Sequence, residues 1–110
     1  MSALTAKFWV DAYIRRLRVA NIPAFVVHHG DNGAGAVLVK LNTLDGKARL
    51  FQRVYNPLTG MRHWDVLSEG DEADLGRAIA RQRNFDPDLW VVEVEDRRGR
   101  HMLDEPGHGE

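Results

Sequence analysis

Residues 24–52 read AFVVHHGDNGAGAVLVKLNTLDGKARLFQ, and this stretch decides the fold. It contains three runs rich in β-branched and apolar residues, separated by two turns that carry glycine. The runs on either side of Asp45-Gly46 are typical of a β-hairpin, because Asp-Gly adopts the backbone conformation that a tight turn needs. The stretch therefore predicts an antiparallel meander in the first half of the chain.

Two amphipathic segments flank this meander and predict helices. The first follows a capping residue, Thr5, and runs from Ala6 to about Ala20, where Asn21-Ile22-Pro23 ends it because the residue before proline avoids the α conformation. The second follows Asp71 and runs to about Asn84. The predicted strands are 25–29, 36–42, 48–55, 61–67 and 89–95, with residues 100–103 as a short edge strand.

These elements predict an α+β fold. The sheet is expected to be antiparallel-rich, with about five to six strands that form a four-strand meander plus a C-terminal strand or hairpin. Two amphipathic helices need a sheet face to cover, and both are expected on one face. Trp90, Val92 and Val94 alternate in the last long strand and are expected in the core.

Composition limits the class of protein. The 110 residues are 44% hydrophobic and 28% charged, which suits one domain, expected over 1–105, followed by a disordered tail, 106–110. Without cysteine there is no disulfide framework and no thiolate metal site. No apolar run approaches the ~18 residues of a membrane span, and no secretory signal is present, so we expect a cytoplasmic protein that does not engage the membrane.

The glycine-bearing loop after the first strand is one candidate binding site. Gly33 and Gly35 free backbone amides that can cradle a phosphate, as in nucleotide-binding loops. In those motifs, however, a helix follows the loop, whereas here a strand follows Gly35. The alternative is a hairpin connection in which the glycines only provide backbone freedom.

His28, His29 and Asp31 form a second candidate, since they suggest a metal site together with His63. Neighbouring strand residues point to opposite faces, so His28 and His29 cannot share one ion if both lie in the strand. No spacing typical of metal enzymes is present. We therefore predict no metal and no cofactor, with the histidines at or near the surface.

Arg49 and Arg53 form a third candidate, because they share one strand face with Phe51 and Tyr55. Basic residues interleaved with aromatics on a sheet can bind and stack nucleic-acid bases. The net charge of -1 argues against this function, and carboxylates elsewhere in the chain can pair with the arginines. The alternative is a solvated, salt-bridged face.

The first helix carries a second apolar stripe, formed by Phe8, Ala12 and Val19 and bordered by Arg15. The predicted fold gives this stripe nothing to pack on, so it predicts an interface with a second copy of the chain. The alternative is that Met102 or Leu103 folds back over the stripe.

Evidence for an enzyme is weak, since Ser2 is terminal and Ser68 fits a helix entry. The residues favour a non-enzymatic protein-interaction or self-associating module, with an unknown protein partner or a homodimer. The alternative is a protein that binds nucleic acid or a phosphate ligand.

Several segments together resemble a bacterial domain-of-unknown-function family, number 1491. The similarity is most specific in residues 85–97, FDPDLWVVEVEDR, which Gly99-Arg100 follows. It covers most of the chain up to Asp104 and implies a small bacterial protein of unassigned activity, without established catalytic residues. The other matching residues are Trp9, Tyr13, Arg15, Arg16, Ile22-Pro23-Ala24, residues 33–40 and Leu44-Asp45-Gly46.

Overall fold

The structure is a computed structural model that describes residues 5–104. Two helices and five strands follow one another along the chain. They are α1 (Ala6–Val19), β1 (Ala24–His28), β2 (Val37–Asn42), β3 (Lys47–Asn56), β4 (Met61–Asp71), α2 (Glu72–Phe85) and β5 (Trp90–Glu95). The α+β class is confirmed, and each helix and long strand lies within a few residues of its predicted position. Residues 100–103 form turns and irregular structure, not the expected edge strand.

One five-stranded sheet, in the order β1-β5-β2-β3-β4, organises the described residues. The antiparallel-rich character is confirmed, since three of the pairings are antiparallel and only that of β2 with β5 is parallel. The four-strand meander is wrong in one respect: β5 inserts between β1 and β2, so only β2, β3 and β4 form a meander. This position suits β5, because Trp90, Val91, Val92 and Val94 are fully buried and a central strand is covered on both faces.

The two helices cover opposite faces of the sheet, which corrects the expectation that both lie on one face. The first apolar cluster joins α1 to alternate residues of β2, such as Val37 and Val39. The second joins α2 to the residues between them, such as Leu38. Every position of β2 is buried, as expected for a strand between two helical layers.

Local signals position α1 and the main hairpin as the sequence predicts. Thr5 caps α1, because its Oγ1 accepts a hydrogen bond from the Phe8 N–H at 3.1 Å. The apolar face from Trp9 to Leu17 is buried against the sheet. Gly46 joins β2 to β3 with a φ of 85°, a conformation that glycine adopts without steric cost.

Candidate functional site

The glycine-bearing loop, residues 30–35, is tied to the start of β5. Asp31 donates its backbone N–H to the Asp88 carbonyl at 2.9 Å, and its own carbonyl accepts from Trp90 Nε1 at 2.7 Å. A Cβ at Gly30 would lie 2.2 Å from the Asp88 oxygen, and one at Gly35 would lie 2.6 Å from it. These two glycines are therefore needed for close backbone approach, and the loop closes over the edge of the buried Trp90 ring.

The same loop is also bonded to the N-terminus of α1. The carbonyls of Asn32 and Gly33 accept from the N–H groups of Lys7 and Ala6, each at 3.0 Å. Within the loop, the Asp31 carboxylate accepts from the N–H groups of Gly33 at 3.1 Å and Ala34 at 2.9 Å. The amides of Asp31, Gly33 and Ala34 are thus engaged inside the chain, and the geometry supports a structural role for the loop.

The histidines are distributed over both edges of the sheet. His28 ends β1 and His29 follows it, whereas His63 lies on β4 at the far edge, 3.2 Å from Asp65 through its Nε2. The ring centroid of His29 is 4.0 Å from that of Trp90. Burial, with a smaller contribution from the charge of Arg83, lowers the pKa of His28. Across residues 5–104, no three His, Asp or Glu side chains come close enough to hold a metal ion.

Arg49 and Arg53, which suggested nucleic-acid binding, do not form one basic strip with Arg15 of α1. Arg49 lies near Glu69, at 3.8 Å between Nε and Oε2. Arg53 is half-buried and stacks on two indoles, with its Cζ 5.6 Å from the Trp9 ring centroid and 6.0 Å from that of Trp64. Arg15 lies on α1, where it lines a different groove.

Arg49 does line an open groove at the other end of the sheet, with a volume of about 580 Å³. Arg97 and Arg98, from the turn after β5, line this groove too, and so do Asp45 and Glu69. The groove therefore presents both signs of charge. Its remaining lining residues are Thr43, Lys47, Ala48, Gly70 and Gly99.

An uncovered apolar surface runs along β1 and the outer side of α1. We call it the β1-side surface, and it consists of Phe8, Ala12, Arg15 and Val19 on α1 and Phe25, Val26 and Val27 on β1. Val26 lies on the face that α1 covers, whereas Phe25 lies opposite Glu93 on the face that α2 covers. Phe8 is 60% exposed and Val19 is 79% exposed, so the described residues leave the predicted helix stripe open. Arg15, Val19 and Val26 line a groove of about 550 Å³ that connects the helix to the strand.

Residues 100–104, the last that the structure describes, pack elsewhere and do not cover the stripe. Leu103 is buried in the α1-side core and Met102 packs against it. His101 anchors the segment: its ring lies 4.7 Å from that of Phe51, and its carbonyl accepts a 2.8 Å hydrogen bond from the Tyr13 hydroxyl. The alternative in which Met102 or Leu103 shields Phe8 is therefore wrong.

Sequence reasoning missed a buried ionic cluster beneath the start of α2. Lys40 on β2 extends its Nζ to Glu72 Oε1 at 3.1 Å and to Glu93 Oε1 at 3.3 Å. Asn42 donates to Glu72 Oε1 at 3.2 Å. The only sequence signal is a lysine inside an otherwise apolar strand. Because all members are paired, the cluster fixes α2 and β5 to β2 and leaves no free group for chemistry.

Neither helix of the described chain is long and apolar enough to cross a membrane.

Comparisons with known proteins place this architecture among related structures. Residues 4–104 match a family described as "Protein of unknown function (DUF1491)". A crystal structure of a DUF1491 family protein from Caulobacter crescentus CB15 is 43% identical, with a TM-score of 0.85 over 94% of this chain and 98% of that one. An NMR structure of a DUF1491 family protein from the same organism is 42% identical, with a TM-score of 0.81 over 96% and 97%. The solution structure of Atu0922 from A. tumefaciens is 28% identical, with a TM-score of 0.73 over 86% of each chain. No curated protein matches.

Proposed function

This chain belongs to the DUF1491 family, and we propose that it is a non-enzymatic protein-interaction module, working in the cytoplasm as a single domain over 1–105 without metal or cofactor. The observation that carries the proposal is the β1-side surface, where apolar side chains lie exposed on both a strand and the adjoining helix. A single exposed apolar residue needs no explanation, but several along one edge strand and the helix beside it are typical of a protein interface.

Several members of the surface contribute in different ways. Phe8 supplies a large aromatic ring, the kind of side chain that is enriched at interfaces. Ala12 is small and allows a partner to approach the helix closely. Val19 and Arg15 line the groove, and Arg15 gives it a charged border. This mixture of apolar centre and polar border is the usual anatomy of a contact between proteins.

The buried charges of the described chain support a binding role over catalysis. Lys40 is paired with two glutamates, and Asp96 accepts two hydrogen bonds from the Arg100 guanidinium, at 3.1 and 2.9 Å. Burial raises the pKa of Tyr13, whose hydroxyl donates to a backbone carbonyl. Such groups stabilise the fold, whereas catalytic groups face a cavity that a substrate can enter.

Site-specific photo-cross-linking in cells tests the proposal. A photoreactive phenylalanine at position 8 should give discrete protein adducts, either with a second copy or with another protein. The same residue at Tyr55 is the matched control, since that ring is 58% exposed on β3 and lies outside the β1-side surface. Equal labelling from both positions, or none from position 8, would contradict the proposal.

A second candidate function, binding of nucleic acid or a phosphate ligand, is favoured by the groove that Arg49, Arg97 and Arg98 line. Phosphate contacts release counterions, so the affinity of such a protein falls steeply as salt rises. A gel shift at low-micromolar protein that weakens with salt and with Arg98→Glu would favour this function. We expect no shift at physiological salt.

A further inference from the structure

β1 is an edge strand whose outer backbone groups face no other strand of the described chain. Pro23 directs its carbonyl inward, where it accepts from the Glu95 N–H at 2.9 Å. Backbone direction alternates along a strand, so Ala24 and Val26 direct their polar groups outward. Arg18 agrees with this assignment, since its Nη2 donates to the outward Ala24 carbonyl at 3.1 Å. The N–H and C=O of Val26, at the middle of the strand, remain open to a partner.

The side chains of β1 carry little of the charge that usually protects a sheet edge, and its protection consists of a register shift against β5 between Val26 and His28. Charged residues on an edge strand prevent pairing with another chain. β1 has no charged residue in positions 24–27, and Phe25, Val26 and Val27 are 41%, 38% and 42% exposed. The opposite edge, β4, is different, because Arg62, His63, Asp65 and Glu69 all lie on it. Of the two edges, β1 is the one with fewer charged side chains of its own, and pairing there requires only that Arg18 release the Ala24 carbonyl.

We propose that β1 pairs antiparallel with β1 of a second copy of this chain, about a two-fold axis through Val26. The two five-stranded sheets then join into one sheet of ten strands. This inference rests on the proposed function and names its partner, with the axis at the strand rather than at Phe8.

The strand matches itself in this arrangement. Val26 lies opposite its own copy, and the pair exchanges two backbone hydrogen bonds through the outward groups described above. Phe25 of each copy lies beside Val27 of the other, and contacts of an aromatic with a β-branched residue stabilise antiparallel strands. The register shift between Val26 and His28 ends the regular pairing there, and residues 24–28 contain no Asp, Glu, Lys or Arg that would meet a like charge. Because the contact is isologous, the assembly closes as a dimer.

The groove beside β1 is complementary to itself as well. It lies between α1 and β1, and the two-fold axis brings the grooves of both copies together over the joined strands. Asp11 lines the groove together with Arg15 and Arg18. The axis makes the two α1 helices antiparallel, so Asp11 of one copy, which pairs with Lys7 at 2.6 Å in its own helix, lies toward Arg15 and Arg18 of the other. Val19 and Val26 supply apolar contacts between these charges.

Light scattering of the purified chain at tens of micromolar tests the pairing. We expect a mass of twice the 12.5 kDa of one chain. Val26→Lys should give the single-chain mass, since it places two like charges opposite each other on the axis. Val66→Lys is the matched control on β4, where the valine is 47% exposed, and it should leave the dimer unchanged. Circular dichroism of both variants shows whether each one folds.

A single-cysteine experiment tests the axis without disturbing the edge, because the chain has no cysteine of its own. Val26→Cys should give a cross-linked dimer with a short bismaleimide, since the two thiols lie next to each other at the axis. Val66→Cys should stay uncross-linked at the same protein concentration.

The outcomes distinguish the proposed function from the proposed pairing of β1. A dimer that survives Val26→Lys, with no cross-link through position 26, overturns β1 pairing and keeps the proposed function. A wild-type monomer also overturns the pairing, and the function then depends on whether position 8 labels another protein in cells. A monomer without such adducts overturns both.

Discussion

Alanine at position 30 should destabilise this protein far more than alanine at position 33, although both glycines lie in one loop. A Cβ at position 30 would lie 2.2 Å from the Asp88 carbonyl oxygen and 2.6 Å from Trp90 Cδ1. At position 33 the nearest atom would be 3.5 Å away, an ordinary contact with the Asp31 carboxylate. Comparing the two variants therefore separates the cost of the steric overlap from the general effect of replacing a glycine.

The atoms near position 30 cannot easily move away. The Asp88 carbonyl accepts the Asp31 N–H, and Trp90 is only 1% exposed. Forcing extra atoms into such a site typically costs about 1–3 kcal/mol, and an overlap with fixed backbone belongs at the upper end, ~3 kcal/mol. Gly33→Ala should change the free energy of unfolding by less than about 1 kcal/mol, because it mainly restricts the unfolded chain.

Urea denaturation followed by circular dichroism measures the difference in the free energy of unfolding between the two variants. For a domain of this size, ~3 kcal/mol corresponds to a melting temperature that is lower by roughly 12 °C or more. If Gly30→Ala unfolds within about 0.5 kcal/mol of Gly33→Ala, which is the usual limit for a neutral surface substitution, the loop does not pack on β5 as described.

Three further predictions concern the interior. Trp90→Ala should cost about 3–5 kcal/mol in a chemical melt, since it empties the largest buried site, and a loss under 1 kcal/mol would place the ring at the surface. Lys40→Met should cost about 3 kcal/mol, the lower end of the range for breaking a buried ion pair, because the partly buried Glu93 loses its cation but keeps a hydrogen bond from Asn42, and adding Glu93→Gln should restore part of the loss. Burial lowers the pKa of His101, so the unfolded chain binds a proton that the folded chain does not, and stability should fall as the pH drops below the ordinary value of 6.5. His101→Asn, which keeps a hydrogen-bond acceptor, should flatten this pH dependence in melts from pH 7 to 5, although the lowered pKa of His28 preserves some of it.

The sequence predicted the elements well because their signals are local. The spacing of Trp9, Tyr13 and Leu17 defines the buried face of α1, and Asp45-Gly46 defines a turn that needs no distant contact. The exposed stripe on α1 was predictable for the same reason, since helical periodicity alone separates it from the buried face.

The order of the strands was not predictable from the same signals. Nearest neighbours in sequence usually pair in space, and this regularity favoured β1 beside β2. The actual arrangement depends on contacts between residues far apart, such as Trp90 Nε1 with the Asp31 carbonyl. The faces of the helices follow from strand order, which is why the expectation of a single covered face was wrong as well.

The candidate site was also predictable only where its signal is local. Glycine spacing identified the loop as special, but only the position of Asp88 shows that Gly30 and Gly35 allow contact between backbones. Lys40 gave no usable signal, because its partners Glu72 and Glu93 lie on a helix and a strand later in the chain.

The insertion of β5 between β1 and β2 also determines the order of folding events. β2, β3 and β4 are joined by short turns, so loop closure favours their early pairing. β1 has no neighbour in the sheet until β5 arrives, and β5 comes after α2 in the chain. We therefore expect amide protons of β3 to gain protection from exchange before those of β1 during refolding, and simultaneous protection would contradict this order. Until that late step, the uncharged segment 24–27 has no strand on either side and can associate with other chains during synthesis.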